Sequence, residues 1–154
     1  MTTHAAYRHV QTYTVLWLIL AATGVFGTLL ISLEPKADAI AGTAIMAASL
    51  IGALLCLGRL VIEVHADELR WSFGYVGWPR WSEPLSAIAH LEITRATAFG
   101  SGIKGSAQHR QFNVTMGGPA VRLHLHGGRS VTLGTPEAQR LASFIEARLP
   151  PARR

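Results

Sequence analysis

The sequence predicts a membrane α-hairpin followed by a small domain of β-strands that ends in one helix. Three observations lead to this fold class. Two long runs without charge lie side by side near the N-terminus, apolar and polar residues alternate from Leu60 onward, and helical spacing returns after Leu133. Runs of that length cross a hydrocarbon core of ~30 Å as helices, whereas alternation is typical of half-buried strands. We therefore divide the chain into a two-helix hairpin over 1–59 and a folded domain over 60–154.

The composition agrees with this division. The 154 residues are 49% hydrophobic and only 15% charged, and the formal net charge is +5. Eleven basic and seven acidic residues follow Arg59, so most of the positive excess lies in the domain. Such an excess beside a bilayer favours membrane lipids, anionic ones first, as partners. The chain has no basic run and no recognisable binding motif, so nucleic acid is not expected as a partner.

The two apolar runs are Gln11–Leu33 and Ala39–Gly58, joined by a polar turn at Glu34–Asp38. Neither run contains a charged residue, which argues against an ion pathway or a transporter site. Lys and Arg favour the cytoplasmic side of a membrane. Arg8 before the first run and Arg59 after the second therefore predict a multi-pass protein of the inner (cytoplasmic) membrane with both termini in the cytoplasm.

Two side-chain patterns accompany the spans. An aromatic belt is expected at the cytoplasmic end of the first span, formed by Tyr7, Tyr13 and Trp17. Small helix-packing residues recur at four-residue spacing in the second span, at Ala44, Ala48 and Gly52. Such residues let two helices approach closely. We favour packing of the hairpin on itself, and a homo-oligomer or a membrane-protein partner is the alternative.

The domain begins with a predicted hairpin. Apolar residues alternate on both sides of a short turn at Ala66–Asp67, with Ile62 and Val64 before it and Leu69, Trp71 and Phe73 after it. A glycine-rich bend at Gly74–Gly77 leads to a third strand over Trp78–Ser82, which Pro79 places at a sheet edge or an irregular position. A fourth strand is predicted over Ile88–Arg95, with Leu91 and Ile93 facing inward.

The second half of the domain continues the alternation. A loop is predicted over Ala96–Arg110, and further strands over Gln111–Met116, Val121–Leu125 and Val131–Leu133. A two-residue turn between the last two strands would place Leu123 opposite Thr132, an apolar residue against a polar one. Leu123 should instead face Val131, which requires a bulged turn of odd length that uses Gly128.

The chain closes with a predicted helix. Thr135 can cap it, Pro136 suits its first position, and Glu137 complements its dipole. An apolar stripe follows at helical spacing, consisting of Ala138, Leu141, Phe144, Ile145 and Leu149. About seven antiparallel strands and this helix predict an all-β or α+β domain, a partly open seven-stranded barrel that the helix caps.

Three segments carry a resemblance to a known family. They are the Ala66–Trp71 hairpin, the Phe99–Lys104 segment, and Ala120–Leu123 through Gly128-Arg129 to Leu133–Glu137. On these the chain resembles bacterial pleckstrin-homology-like (PH-like) domains that follow two transmembrane helices. The resemblance implies a non-enzymatic, membrane-anchored scaffold or interaction module. Eukaryotic relatives bind phosphoinositides through a basic first hairpin loop, whereas Ala66–Glu68 is acidic here, so phosphoinositide recognition is not expected.

The absence of a linker after Arg59 predicts which loops face the membrane. If the first strand leaves the bilayer and the second returns, strand ends alternate between near and far sides. Residues expected to face lipid are Phe99, Ile103, Lys104, Arg110 and Arg129, while Asp67, Glu68 and Glu83 are expected on the far side. These basic loops give a second functional interpretation, a sensor of anionic lipid headgroups. A separate partner-binding patch is predicted at Trp78, Arg80 and Trp81, with burial of one or both rings in the core as the alternative.

No residue set predicts catalysis, a cofactor, a metal or a small-molecule substrate. The segment Gly100–Gly105 satisfies the dinucleotide pattern G-x-G-x-x-G, but that motif requires a preceding parallel strand and a helix within it. His124 and His126 share one strand face, whereas a zinc site needs three or four ligands. We interpret both histidines as solvated and the chain as a non-enzyme.

Overall fold

Two apolar helices stand between the first and second strands of the chain. The computed structural model describes residues 6–33, 37–96, 102–114 and 117–149. Its elements are β1 (Tyr7–Thr12), α1 (Thr14–Leu33), α2 (Ala37–Leu57), β2 (Arg59–Val64), β3 (Glu68–Phe73), β4 (Arg80–Pro84), β5 (Ile88–Ala96), β6 (Gly102–Gly105), β7 (His109–Asn113), β8 (Gly118–Leu125), β9 (Ser130–Gly134) and α3 (Ala138–Glu146). The order of two apolar helices, a sheet domain and a C-terminal helix is confirmed.

Helices α1 and α2, of 20 and 21 residues, are long and apolar enough to cross a membrane. Their side chains are exposed or half-buried, and the buried residues are Gly27 in α1 and Leu54 in α2. Val25 is 73% exposed and Ile45 is 68% exposed. The helix of a soluble core would instead bury an apolar stripe. Most of the predicted turn between the helices, Glu34 to Lys36, lies outside the described residues.

The presence of strand β1 shows that the predicted start of the first span is wrong. We expected the span to begin at Gln11, but Gln11 belongs to the strand and α1 begins at Thr14. Tyr7 and Gln11 are 7% and 6% exposed, because alternate residues of β1 face the core of the sheet domain. Tyr7 therefore does not belong to an aromatic belt. The six-residue strand escaped detection because it runs directly into a long apolar helix.

The first sheet has four strands in the order β1-β2-β3-β4. The predicted hairpin of β2 and β3 is confirmed, with Val64 opposite Leu69 around the turn at Ala66–Asp67. Strand β4 starts two residues later than predicted, at Arg80, and forms the edge. Pro79 lies just before it, in agreement with its lack of a backbone N–H.

The second sheet has five strands in the order β5-β8-β9-β7-β6. The predicted loop over 96–110 contains β6 and the start of β7, and β7 pairs with β9 in parallel. The described residues thus form nine strands rather than seven, and not all pairs are antiparallel. Neither sheet closes on itself within these residues, so a PH-like barrel stays a prediction. The predicted register of Leu123 opposite Val131 is confirmed. The Leu125 N–H donates a 2.8 Å hydrogen bond to the Arg129 carbonyl, which leaves the three residues His126–Gly128 in the turn.

The inner faces of the two sheets and helix α3 enclose one core. Aromatic rings fill its centre, at Trp71, Phe73, Trp81 and Phe112. Leu141 and Ile145 of α3 are fully buried, which confirms the predicted stripe. The helix begins at Ala138 rather than Pro136, and the Thr135 hydroxyl accepts a 3.2 Å hydrogen bond from the Glu137 N–H.

One inward assignment is wrong. Ile93 was expected in the core with Leu91, but it is 53% exposed whereas Leu91 is half-buried and packs against the core. Ile93 lies opposite the buried Val121, yet β5 is the edge strand of its sheet. A residue at an edge has neighbours on one side only, so a core-facing position there stays partly open.

Candidate functional site

Both helices attach to the same end of the four-stranded sheet. Thr12, the last residue of β1, pairs with Arg59, the first residue of β2. One residue further on, the Tyr13 N–H donates a 2.7 Å hydrogen bond to the Gly58 carbonyl. Strand β1 and the rest of the sheet domain therefore lie at one end of the helix pair, without a linker on either side.

The turn between β3 and β4 lies against the end of α2. The Tyr75 N–H donates a 2.8 Å hydrogen bond to the Leu55 carbonyl, and the Gly74 N–H donates another of 2.8 Å to the Arg59 carbonyl. Gly74 has a φ of +72°, and a Cβ there would lie 2.1 Å from the Leu55 oxygen. Only glycine fits this conformation and this approach. The turn thus lies at the helix end of the sheet, as expected if the first predicted strand leaves the bilayer and the second returns to it.

The side chains of Arg59, Tyr75 and Trp17 hold the turn between β3 and β4 against the helices. The Arg59 Nε donates to the Gly74 carbonyl at 2.9 Å, and its guanidinium lies 4.9 Å from the centre of the Tyr75 ring. The Trp17 indole N–H donates to the Tyr75 hydroxyl at 3.3 Å. Trp17 is 45% exposed near the start of α1. Arg59, Tyr75 and Trp17 therefore join α1, the start of β2 and the turn into one cluster, which we call the junction cluster.

The predicted partner-binding patch divides between surface and core. Trp78 is 67% exposed and Arg80 is exposed. Trp81 is half-buried, with its ring centre 4.7 Å from that of Phe112. The alternative of a core ring thus holds for Trp81, and Trp78 with Arg80 remains a candidate binding surface.

The small residues of α2 do not pack against α1. Ala44, Ala48 and Gly52 are exposed, and a Cβ added at Gly52 would meet no atom within 4 Å. Instead α1 approaches Thr43, whose Cγ2 would lie 2.3 Å from a Cβ at Gly27. Packing of the hairpin through the predicted face is therefore wrong, because that face turns away from α1. A homo-oligomer or a partner helix stays a prediction.

The outer face of the five-stranded sheet is polar and basic. Residues opposite one another form a row across all five strands, consisting of Glu92, Arg122, Thr132, Gln111 and Lys104. A shallow cavity of about 500 Å³ lies on this face. Among the described residues that line it, the charged ones are Lys104, Arg110 and Arg122, and none is acidic. Glu92 lies beside it and accepts a 2.8 Å hydrogen bond from Arg122.

The contacts of Arg129 correct its predicted near-side position. Arg129 forms an ion pair of 3.3 Å with Glu83, which was expected on the far side. In the turn before Arg129, the His126 N–H donates a hydrogen bond to the Ala87 carbonyl. Nearby, the Leu85 N–H donates another to the carbonyl of Asp67, which belongs to the distal turn between β2 and β3. These contacts place the turn that precedes Arg129 at the far end of the domain.

The other residues predicted to face lipid are dispersed. Arg110 follows His109, which pairs with Ser130 close to the far-end turn, so Arg110 also lies toward the far end. Lys104 pairs with Gln111 and lies nearer the middle of β6. Ile103 is 45% exposed at the β6 edge. Phe99 lies outside the described residues. The far-end position of Arg110 contradicts its predicted near-side place, whereas lipid contact by Ile103 and Lys104 stays a prediction.

The histidines of the outer face stack rather than converge. The His90 and His124 rings lie 4.2 Å apart and within 8° of parallel, and the His124 Nε2 lies 3.7 Å from a Glu92 oxygen. His126 is exposed in the following turn. The part of the chain that is described contains no group of three or more side chains suited to a metal. Strand β6 occupies Gly102–Gly105, where the dinucleotide motif would require a helix.

A polar cluster that the sequence did not reveal joins β1 to the start of α3. The Tyr7 hydroxyl donates a 3.1 Å hydrogen bond to Glu137, and His9 and Arg140 approach the same carboxylate oxygen at 3.5 and 3.4 Å. Burial, together with the hydrogen bond and charge of Glu137, raises the pKa of Tyr7 to about 12. No sequence pattern relates residues 130 positions apart, so this cluster could not be predicted.

Comparison of the chain with models of known protein families, and with the sequences of curated proteins, finds no match.

Proposed function

We propose that this chain is a multi-pass protein of the inner membrane that acts as a non-enzymatic, membrane-anchored interaction module. The observation that carries the proposal is the pairing of β1 with β2 across the helix pair. Because strands on both sides of the hairpin belong to one sheet, the domain is attached to both helices without a linker. A PH-like domain attached in this way would hold a partner at a defined distance from the bilayer.

The exposed apolar helices support the membrane location. Side chains such as Val25, Phe26 and Leu33 are 73%, 56% and 71% exposed, which water would not favour. A bilayer removes this cost because lipid tails surround the side chains instead. Arg8 and Arg59 flank the helices on the domain side, so the distribution of basic residues favours the domain and both termini in the cytoplasm.

The topology is tested with reporters fused to the two ends of the chain. A phosphatase that is active only outside the cytoplasm and a fluorescent protein that folds only inside it give opposite readings. We expect both ends to report the cytoplasm. If one end reported the cytoplasm and the other the outside, the two-helix hairpin would be refuted. If both ends reported the outside, the cytoplasmic location would be refuted.

The interaction role is tested by purification in mild detergent. We expect a membrane protein, or a second copy of this chain, to co-purify in stoichiometric amounts. Gly52→Leu should reduce this association if the small-residue face holds a partner helix, and Gly42→Leu is the matched control because both glycines have open space around them. A monodisperse monomer without partner in native-membrane extracts would contradict the module.

A second candidate function rests on the basic cavity of the outer face. Lys104, Arg110 and Arg122 line it, and none of its described lining residues is acidic, although Glu92 beside it pairs with Arg122. Three cations on one face suit an anionic phosphate group. The phosphate could belong to a lipid headgroup or to a soluble molecule. Binding to anionic vesicles, compared with binding of inorganic phosphate and with neutral vesicles, separates these sources. Lys104→Glu should weaken binding, and Arg70→Glu, at an exposed position of β3 in the other sheet, is the control.

A further inference from the structure

The turn that joins β3 to β4 exposes three large side chains beside the ends of the helices. Tyr75 is 39% exposed, Val76 is 74% exposed and Trp78 is 67% exposed. We propose that this turn, Gly74–Trp78, inserts into the interfacial layer of the bilayer and forms a third membrane attachment of the domain. The inference rests on the proposed membrane location of α1 and α2.

The depth of the turn follows from its hydrogen bond to α2. Tyr75 bonds to the carbonyl of Leu55, and α2 ends two residues later at Leu57. At 1.5 Å per residue, Tyr75 lies about 3 Å inside the end of the helix. Leu55 and Leu57 are themselves 43% and 38% exposed. If the last turn of α2 reaches the edge of the hydrocarbon core, the Tyr75 backbone lies at the same depth.

The residue types suit that depth. Tyr and Trp concentrate where a membrane meets water, because their rings are apolar and their polar atoms can remain hydrated. Arg59 also fits, since a long basic side chain can place its charge toward the headgroups. The junction cluster of Arg59, Tyr75 and Trp17 holds the turn in place before any lipid binds. Inserting a rigid turn involves little loss of conformational entropy.

Lipid is the occupant that the surroundings favour. The exposed turn is continuous with the exposed apolar ends of α1 and α2, so one bilayer can cover all three. Four strands at a spacing of ~4.8 Å separate β1 from β4 by about 14 Å. Trp78, which precedes β4, therefore lies to one side of the helix pair. A third attachment at that distance would restrict the tilt of the domain on the membrane.

A site-specific fluorescent label tests the proposal. In the full chain with Cys56→Ala, the variant Val76→Cys is labelled with the polarity-sensitive dye NBD and placed in phosphatidylcholine nanodiscs with one chain each. Ser86→Cys, on the exposed short helical turn at the far end, is the matched control. Val25→Cys, in the middle of α1, reports whether the helices span. Trp78→Cys gives a second reporter in the turn.

We expect headgroup-linked nitroxide lipids to quench the label at Val76→Cys several-fold more than at Ser86→Cys, and aqueous iodide to show the reverse order. If Val25→Cys is quenched by nitroxides at mid-chain depth while both turn reporters remain accessible to iodide, the turn does not insert and only the membrane location of the helices stands. If Val25→Cys is not quenched either, both fail. Shielding of the turn from both quenchers would mean that protein covers it, which would also overturn the proposal.

Discussion

The helix pair and the sheet domain differ in where their apolar side chains lie. In α1 and α2 the buried residues are one glycine and one leucine, whereas the inner faces of the sheets and α3 bury Phe73, Phe112 and Leu141 completely. The domain supplies its own apolar environment, and the helices need one from outside. Mutations of equal size should therefore have very different effects in the two regions.

The largest contrast is expected for removal of a phenyl ring. Phe112→Ala deletes a fully buried ring that contacts Trp71, Phe73 and Trp81, so the free energy of unfolding should fall by about 3–5 kcal/mol. Phe26→Ala, at a 56% exposed position of α1, is the control and should leave the unfolding of the sheet domain unchanged. Urea denaturation in detergent, followed by tryptophan fluorescence, measures both. Equal losses would mean that the two regions do not differ in this way.

A smaller effect is expected where the helices contact each other. Gly27→Leu would force a side chain onto Thr43, and overpacking of this kind costs about 1–3 kcal/mol. Gly24→Leu makes the same change on the same helix where no atom lies within 4 Å. Thermal denaturation in one detergent, followed by circular dichroism, compares the two variants. The contact at Gly27 would be refuted if Gly24→Leu were equally destabilising.

Strand β1 belongs to the domain although it precedes the helices in sequence, and Tyr7 tests that attachment. Tyr7→Phe removes the hydrogen bond to Glu137 and should destabilise the domain by about 1 kcal/mol at neutral pH.

The same residue predicts a pH dependence. Its folded pKa of about 12 exceeds the ordinary value of 10.0, so the folded state holds a proton that the unfolded state releases. The contribution of the protonated Tyr7 to the free energy of unfolding is therefore complete below pH 10 and is lost as the pH rises toward 12. An absorbance titration that follows phenolate formation should show one tyrosine ionising near pH 12 in the unsubstituted protein and none there in Tyr7→Phe. Glu137→Gln should lower the pKa of Tyr7 only in part, because burial is the largest cause; an unchanged titration in Tyr7→Phe would contradict the assignment.

The smallest effect is expected at the far end of the domain. Arg129→Ala breaks an exposed ion pair with Glu83, which should change the free energy of unfolding by less than about 1 kcal/mol. Arg80→Ala is the comparison, because Arg80 has no ion pair within the described chain. Added salt should reduce the difference between the variants by screening the pair. A salt-independent difference would mean that Arg129 acts through packing rather than charge.

Sequence patterns alone identified the helix pair, the first hairpin and the apolar stripe of α3. Each depends on a period read over neighbouring residues, and burial of one face enforces that period. The register of Leu123 opposite Val131 was also predictable, because one wrong step would have placed Thr132 in an apolar pair.

Contacts between distant segments were decided only by the tertiary structure. Strand β1 pairs with a strand some fifty residues away, β7 aligns in parallel with β9, and Tyr7 meets Glu137. The candidate sites shifted for the same reason. Arg129 lies at the far end and not on the predicted near side, because the turn before it bonds to Ala87. Ala44, Ala48 and Gly52 face away from α1, because α1 packs with Gly27 against Thr43. A local period determines which face of an element is apolar, but the packing of all elements together determines what that face meets.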